Sequence, residues 1–397
     1  MLETRIAKEL AYISQAGLAR RITELYFVNP AQAQDRTGKT YLVLASNNYL
    51  GFTHAPEVIE AASRAALKFG TGSSGSRLTT GGTFIASELE KRLADFKHSE
   101  SALVFNTGYM TNLGILYGLL QTGDVVFSDE LNHASIIDGC RISRCKVVVY
   151  KHNDMADLQR LLETEIVTGQ RFIVTDGVFS MDGDIADLPS LAVLKKQFNA
   201  CLIVDDAHGV GVIGNDGSGT ASHYGLTDVI DLQVGTLSKA LAAEGGYVAG
   251  KKILIDYLIN RSRPFIFSTA LAPATLAAAN AALLLLQTQA SKYLDSLRAN
   301  SRLMRRLLLE GGLNVVEGIT PIIPVVIGEA GLTMQFADRL KSKGILVSGS
   351  RPPTVPRGES RLRITVTAAH CEEQLRQAAQ IITALWQELK HGEKKEG

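Results

Sequence analysis

The chain has few cysteines and almost no net charge, and both absences exclude whole classes of protein. Its 397 residues include only Cys140, Cys145, Cys201 and Cys371, with no C-x-x-C pair, so neither a disulfide framework nor a cysteine-ligated metal is expected. Lys and Arg total 41 and Asp and Glu total 40, which gives a formal net charge of +1. Such a chain has no overall field to attract nucleic acid or an anionic membrane, and we expect neither as a partner.

Uncharged runs raise the question of a membrane span. The run at residues 265–286 has 22 residues without a charge and is long enough to span a bilayer. Pro273 and several polar residues interrupt this run and alanine dominates the rest, so we expect a buried helix. The first residues, MLETRIAKEL, carry charges where a signal peptide would be apolar. We therefore expect a cytoplasmic protein in a reducing compartment.

Apolar strand-like runs alternate with helical stretches through most of the chain. Strands are predicted at 102–105, 125–128, 146–150, 171–176, 201–208, 230–239 and 245–250. Unbroken Val/Ile/Leu strands separated by helices predict a mostly parallel sheet covered on both faces. We expect an N-terminal helical arm over 1–45, a large α/β domain over 46–285 and a smaller α+β domain over 286–397.

Polar side chains follow five of these strands at the point where each strand ends. The clusters are Asn106–Tyr109, Ser128–His133, Thr175–Gly177, Asp205–His208 and Thr236–Lys239. In open α/β sheets ligands bind at the carboxyl ends of the strands. The sequence therefore predicts one functional site at this edge of the sheet.

Two of these residues have an unusual setting for a charged side chain. Lys239 ends a strand among small residues, where a buried amine has a lowered pKa and can form a Schiff base. Its alternative is a lysine that extends to the surface. Asp205 follows four apolar residues, and a carboxylate there needs a cationic partner or several donors. A protonated pyridine nitrogen is one such partner.

The remaining cluster residues complete a recognisable set. His208 can donate to a phenolate-like oxygen, or it can be a structural histidine. His133 can stack on a ring, exchange protons, or only cap a helix. Gly108 and Tyr109 open a helix, where free amides and the helix dipole favour a phosphate. With Lys239 and Asp205, this set points to pyridoxal 5'-phosphate (PLP) as the cofactor.

Two other interpretations fit the sequence less well. A dinucleotide site needs its glycine motif after the first strand, but GTGSSGSR (70–77) follows a helix. A metal site could use Asp205, Asp206, His208 and His133, but it would leave Lys239 without a role and no H-E-x-x-H motif is present. We therefore expect no metal, and we keep a non-catalytic or metal-binding α/β protein as the alternative class.

Nine motifs spread over the chain resemble one enzyme family, the α-oxoamine synthases. They are SNNYLG (46–51), GTGSSGSRLTTG (70–81), NTGYMTN (106–112), SDELNHASIIDG (128–139), TDGVFSMDGD (175–184), DDAHGVGVIG (205–214), GTLSKALAAEGGYVAG (235–250), FIFSTALAP (265–273) and RPPTVPRGESRLRITVTAAH (351–370). The resemblance implies an aspartate aminotransferase-like fold type I PLP transferase. It also implies condensation of an amino acid with an acyl thioester and release of carbon dioxide. Family members are homodimers whose active site is shared between subunits.

The resemblance assigns roles to the main catalytic candidates. Lys239 is similar to the lysine that binds the cofactor and carries the proton, and Asp205 to the aspartate on the pyridine nitrogen. His133 is similar to the histidine stacked on the ring, and His208 to the donor on the phenolic oxygen. Arg363 corresponds to the arginine that pairs with the substrate carboxylate, although Arg361 shares its strand face and could take that place.

Further binding residues follow from the same motifs. The resemblance places the cofactor phosphate at Gly108, Tyr109 and Thr236, with Thr269 supplied from the partner subunit. It also makes Asn47 a contact to the substrate and Ser180 a contact to the cofactor ring.

The finer motifs favour one branch of the family. RPPTVP, QRFIVTDGVFSMDG and GLARR are most similar to the branch that joins L-alanine to a pimeloyl thioester in biotin biosynthesis. The alternative is the branch that transfers an acetyl group to glycine. Arg20 or Arg21 would be the basic residue near the acyl chain. Ala86 stands where the family commonly has a histidine, so a contact near the acyl entrance is expected to be missing.

Overall fold

A computed structural model of the chain describes residues 1–15, 18–20 and 22–396. Its strands are β1 (Tyr26–Asn29), β2 (Gln32–Gln34), β3 (Thr40–Val43), β4 (Ser101–Phe105), β5 (Val125–Asp129), β6 (Lys146–Tyr150), β7 (Arg171–Asp176), β8 (Ala200–Asp205), β9 (Leu232–Thr236), β10 (Gly246–Gly250), β11 (Ile322–Gly328), β12 (Ile345–Leu346), β13 (Ser348–Ser350) and β14 (Ser360–Thr365). Its helices are α1 (Leu2–Gln15), α2 (Pro56–Phe69), α3 (Phe84–Phe96), α4 (Gly108–Leu119), α5 (Ala134–Ser143), α6 (Met155–Thr164), α7 (Leu188–Gln197), α8 (Thr220–His223), α9 (Lys252–Arg261), α10 (Arg263–Ile266), α11 (Pro273–Glu310), α12 (Ala330–Ser342) and α13 (Glu372–Glu396).

The largest sheet has seven strands in the order β4-β10-β9-β8-β7-β5-β6. Only β10 runs antiparallel to its neighbours, so the prediction of a mostly parallel sheet is confirmed. Successive residues of a strand point to opposite faces. In β7, Phe172 and Val174 pack with residues of α4 and α5, whereas Ile173 packs with residues of α6 and α7. Both faces are therefore covered, which explains why the central residues of these strands are apolar on both faces.

Two smaller sheets bring the two ends of the chain together. β11, β14 and β13 form an antiparallel sheet, and β1, β2, β3 and β12 form the other. β3 pairs with β12 in parallel, and Leu44 is buried in the core that α11, α12 and α13 share with β11 and β14. The strands β1 and β2 have no counterpart in the sequence pattern. The division at 45 and 285 stays a prediction, but α11 runs across residue 285 and departs from helical geometry only at Gln289.

The uncharged run at 265–286 lies in the core as expected. It covers the end of α10 and the first turns of α11, where Leu276, Leu283 and Leu286 are buried against α2 and α3. Among the helices of the described residues, none has both the length and the apolar character needed to cross a bilayer.

Candidate active site

The carboxyl ends of three central strands carry the charged side chains of the candidate site. β7 ends at Asp176 and β8 ends at Asp205, and these two residues are direct partners in the sheet register. β9 ends at Thr236, and Lys239 follows in the turn after it. The parallel strands thus bring three of the predicted clusters to the same edge of the sheet.

Lys239 has an amine that is much less basic than an ordinary lysine. Burial lowers its pKa to about 8, and the positive charge of Arg363 acts in the same direction. The carboxylates of Asp205 and Asp176 oppose this effect because they favour the charged amine. A substantial fraction of the amine is therefore unprotonated near neutral pH and able to act as a nucleophile or base.

Asp205 is a buried carboxylate with no cationic partner in the described part of the chain. Its Oδ2 accepts a hydrogen bond from Asn112 Nδ2 at 2.6 Å, and its Oδ1 accepts one from the amide of Ala207 at 3.0 Å. It is 6% exposed, and no Lys, Arg or His of the described residues comes within 4.0 Å of it. A buried carboxylate in this state is suited to a cation that a ligand brings.

Asp176 lies beside Asp205 at the carboxyl edge of the sheet. Burial raises its pKa well above the usual range, and the neighbouring charge of Asp205 raises it further. Its Oδ2 accepts a hydrogen bond from the amide of His133 at 3.0 Å, which ties the start of α5 to the end of β7. Asp176 belongs to the predicted cluster Thr175–Gly177 but was given no role of its own, although it has the same sequence signal as Asp205, a carboxylate at the end of an apolar strand.

His133 is the residue that caps α5. Its Nδ1 accepts a hydrogen bond from the amide of Ser135 at 3.3 Å and lies 2.7 Å from Ser135 Oγ. Burial lowers the pKa of His133, and the charges of Asp205 and Lys239 act on it in opposite directions. The ring is therefore neutral at neutral pH. His133 both caps α5 and lies near the charged groups of the site.

His208 is a buried residue that follows β8. Its Nδ1 lies 2.6 Å from the hydroxyl of Tyr49, which is completely buried. Burial lowers the pKa of His208 well below its usual value, and the nearby positive charges of Lys239 and Arg363 contribute. A neutral ring with Nδ1 engaged by Tyr49 leaves Nε2 available to a ligand. Tyr49 lies in the SNNYLG motif, but the residues alone gave it no role.

The start of α4 packs tightly against β9 and β10. Thr107 caps the helix by accepting a hydrogen bond from the amide of Met110, so the amides of Gly108 and Tyr109 form the first open turn. A side chain at Gly246 would lie 2.6 Å from the amide nitrogen of Gly108, and only glycine permits this approach. Thr236 Oγ1 reaches the carbonyl of Gly245 at 3.0 Å on the same side.

Tyr109 itself extends away from this turn. Its side chain is 42% exposed and its hydroxyl donates to Asp138. The ring lies edge-on to His133, with centroids 6.3 Å apart. The free backbone amides at this helix start are suited to an anion, and the aromatic ring of Tyr109 lies beside His133.

The two arginines of β14 have different surroundings. Arg361 is 3% exposed and pairs with both Asp182 and Glu359. Arg363 is 6% exposed and contacts no carboxylate of the described residues. Only Arg363 therefore has a positive charge available for a substrate carboxylate, which favours it over Arg361.

Asn47 and Ser180 meet at Arg363. The guanidinium donates from Nη2 to Asn47 Oδ1 at 3.3 Å, from Nη1 to Thr365 Oγ1 at 3.0 Å, and from Nε to the carbonyl of Ser180. The Ser180 contact is made by the backbone, and its hydroxyl stays available. The structure thus brings both residues to the site next to Arg363.

Three candidates lie at the periphery of this group. Thr269 is exposed, and its carbonyl accepts a hydrogen bond from Asn106 just before α4. Arg20 lines a cavity of about 630 Å³ that also contains Met181. Arg21 lies outside the described residues. Ala86 is fully buried in α3. It stands where the family commonly has a histidine, and we expected the contact of that histidine to be missing.

The group fits PLP by the chemistry of its donors. Asp205 lacks a cation, Lys239 supplies an amine of lowered pKa, and the cradle at Gly108 is kept open by Gly246. The metal interpretation has lost one of its ligands, because Asp206 is held by Lys97 at 3.1 Å in a buried ion pair.

Comparison with known proteins agrees with this chemistry. The profile described as aminotransferase class I and II matches residues 39–382. An 8-amino-7-oxononanoate synthase of Lysinibacillus sphaericus is 46% identical over 374 residues, which cover 94% of this chain and 96% of the relative. One of Trichlorobacter lovleyi is 49% identical over 385 residues, covering 97% and 98%. A solved structure of SPT with a PLP internal aldimine is 32% identical, with a TM-score of 0.92 and 97% of each chain covered.

These matches confirm the fold type I architecture and the PLP cofactor, and they exclude the non-catalytic alternative. The chain belongs to the aminotransferase class I and II family and, within it, to the α-oxoamine synthases, which are PLP-dependent acyltransferases.

Proposed function

We propose that this enzyme condenses L-alanine with a pimeloyl thioester and releases 8-amino-7-oxononanoate, carbon dioxide and the free thiol, as a step of biotin biosynthesis. The observation that carries the reaction type is the position of Lys239 and Asp205 at one edge of the seven-stranded sheet together with Arg363 of β14, with the charges of Asp205 and Arg363 both acting on Lys239. The choice of alanine and pimeloyl rests on the 8-amino-7-oxononanoate synthases that match nearly the whole chain.

Arg363 and Asn47 bind the amino acid in this proposal. The guanidinium is held by Ser180, Thr365 and Asn47, so its orientation is fixed before substrate arrives. A planar guanidinium binds a carboxylate through two parallel hydrogen bonds, which sets the rotation of the amino acid in the site.

Lys239 moves the proton. Its Nζ removes the hydrogen from Cα of the bound amino acid, because a pKa of about 8 leaves enough free amine at neutral pH. PLP, when bound, supplies a ring that stabilises negative charge at that carbon. Asp205 holds the ring nitrogen, His208 the phenolic oxygen, Ser180 another contact to the cofactor, and the first turn of α4 with Thr236 the phosphate.

The functional unit is a homodimer with a shared active site. Thr269 is exposed in one chain although its backbone joins Asn106 at the start of α4, a position from which it can reach the phosphate site of a second copy. The enzyme acts in the cytoplasm, and its four cysteines, all free, suit that reducing compartment.

A thiol-release assay tests the proposed substrates. Alanine, glycine and serine are each combined with acetyl, pimeloyl and palmitoyl thioesters, on coenzyme A and on acyl carrier protein. We expect kcat/KM to be highest for alanine with pimeloyl, and mass spectrometry to detect 8-amino-7-oxononanoate. A maximum for glycine with acetyl would reject this substrate pair and leave the reaction class intact.

A further inference from the structure

A continuous chain of buried hydrogen bonds joins Asp205 to His133 through two residues with no assigned role. Asn112, in the second turn of α4, is 2% exposed, and Ser135, in the first turn of α5, is 1% exposed. Asn112 Nδ2 donates to Asp205 Oδ2 at 2.6 Å and to Ser135 Oγ at 2.9 Å. Ser135 Oγ lies 2.7 Å from His133 Nδ1.

The chemistry of the donors fixes the direction of every bond in this chain. A carboxylate only accepts, so the amide of Asn112 must present its NH₂ group to Asp205. The second hydrogen of that NH₂ group points to Ser135 Oγ, which therefore accepts. The single hydroxyl proton of Ser135 is then directed to His133 Nδ1.

His133 Nδ1 receives a second hydrogen bond from the same residue. The amide of Ser135 donates to it at 3.3 Å. A nitrogen that accepts two hydrogen bonds carries no proton, so the proton of the neutral ring must be on Nε2. The lowered pKa of His133, caused first by burial, agrees with a neutral ring.

We propose that Asn112 and Ser135 are positioning residues that orient the carboxylate of Asp205 and hold His133 as its neutral, Nε2-protonated tautomer. His133 then presents an N–H donor to the ligand and is not the base of the reaction. Asn112 joins the two groups, because its single NH₂ group donates both to the carboxylate of Asp205 and to the hydroxyl of Ser135, which in turn contacts the ring of His133. The inference rests on the proposed roles of Asp205 and His133 in the cofactor site.

The first measurement is NMR of the full-length holoenzyme labelled with ¹⁵N-histidine. The His133 signals are identified by their loss in His133→Gln. We expect Nδ1 to resonate as an unprotonated nitrogen and Nε2 as a protonated one throughout the neutral range. A protonated Nδ1 in the parent enzyme would overturn the proposal, whatever the substrates turn out to be.

The Ser135→Ala variant removes the hydroxyl and keeps the contact between Asn112 and Asp205. We expect Nδ1 of His133 to become partly protonated, while the PLP dissociation constant is unchanged. Ser128→Ala is the matched control, since Ser128 is also buried and its Oγ accepts from the amide of Asn132 at 2.9 Å. This control should leave the His133 signals as in the parent. Identical His133 signals in Ser135→Ala and the parent would contradict the proposal.

The Asn112→Leu variant removes both donors at similar volume. Loss of a hydrogen bond to a buried charge corresponds to about a ten- to hundredfold weaker PLP affinity. We also expect a loss of tautomer selection at His133. A variant that loses thermal stability but keeps the parent's PLP affinity and tautomer would show that Asn112 is only structural. If Asn112→Leu does not fold, the parent spectrum and Ser135→Ala still decide the tautomer.

Discussion

Replacing Arg363 by lysine tests which charge binds the substrate carboxylate. A guanidinium has five N–H donors, and Arg363 uses one on Nε, one on Nη1 and one on Nη2 for Ser180, Thr365 and Asn47. The hydrogens that remain are on the terminal nitrogens, from which a guanidinium can form two parallel bonds to a carboxylate. Lysine keeps the positive charge but cannot reproduce these parallel bonds.

The expected effect follows from the lost bond. A hydrogen bond to a charged group contributes about 1.5–3 kcal/mol, so Arg363→Lys should raise the KM for alanine about ten- to a hundredfold. The assay is thiol release at saturating pimeloyl thioester with alanine varied. PLP affinity should change much less than this KM, because within the described chain the arginine contacts neither Asp205 nor the first turn of α4 and reaches the cofactor contact Ser180 only through its backbone carbonyl.

Arg361→Lys is the matched control for this prediction. Asp182 and Glu359 can still pair with a lysine, so the KM for alanine should stay at the parent value while the melting temperature falls. The reasoning is refuted if Arg361→Lys raises the KM and Arg363→Lys does not. That outcome would move the carboxylate site to Arg361.

Three further experiments test other parts of the structure. Lys239→Ala should fold and bind PLP without turnover, and borohydride should no longer attach the cofactor to this variant. In the parent apoprotein, the rate at which PLP attaches should rise with pH up to about 8 and level off above it, because only the free amine of Lys239 reacts. Burial alone would lower the pKa of His152, but hydrogen bonds to Asp129 at 3.0 Å and Asp184 at 2.9 Å raise it to about 10. This pair of contacts should stabilise the fold fully below about pH 6.5 and lose its effect as the pH rises through about 10, so His152→Gln should flatten the fall of melting temperature between pH 7 and pH 10. Co-expressed Lys239→Ala and Thr269→Trp chains should regain activity as mixed dimers, whereas an absence of any recovery would count against a shared site.

The sequence predicted the sheet because its signal is local and repeated. β5, β7 and β8 are apolar on both faces, and a polar residue ends each of them, so their parallel arrangement and the position of the site could be foreseen. β1 and β2 could not, because four and three residues respectively are too short to show a period. β1 pairs with β2 and β2 pairs with β3, which itself pairs with β12 some three hundred residues later.

The partners of each candidate could not be read from the sequence. Asn112 lies among apolar residues of α4, and nothing in that stretch shows that its amide would reach the end of β8, 93 positions further on. Tyr49 similarly contacts His208 across 159 positions. Such pairs depend on how strand ends and helix starts meet in space. The order of elements predicts which edge of the sheet carries the site, but it does not predict which side chains touch there.

The sequence also could not show which of two nearby residues of the same type is available to a ligand. Asp205 and Asp206 both follow an apolar strand, yet Asp206 is neutralised by Lys97 and Asp205 contacts no cation of the described chain. Arg361 and Arg363 share a strand face, yet two carboxylates neutralise Arg361 and none neutralises Arg363. In both pairs the structure separates a charge that the protein compensates from one that it leaves to a ligand.

The uncompensated charges together describe what the site must bind. A buried negative charge at Asp205 is stabilised by a cationic ring nitrogen, and a buried positive charge at Arg363 by an anion such as a carboxylate. Lys239 lies within the influence of both, and its lowered pKa results from burial and from Arg363 while Asp205 opposes it. A ligand that neutralises Arg363 should therefore raise the basicity of Lys239. Binding of the amino-acid carboxylate thus strengthens the base that removes the proton from the same molecule, and Arg363→Lys should weaken this coupling even at saturating alanine.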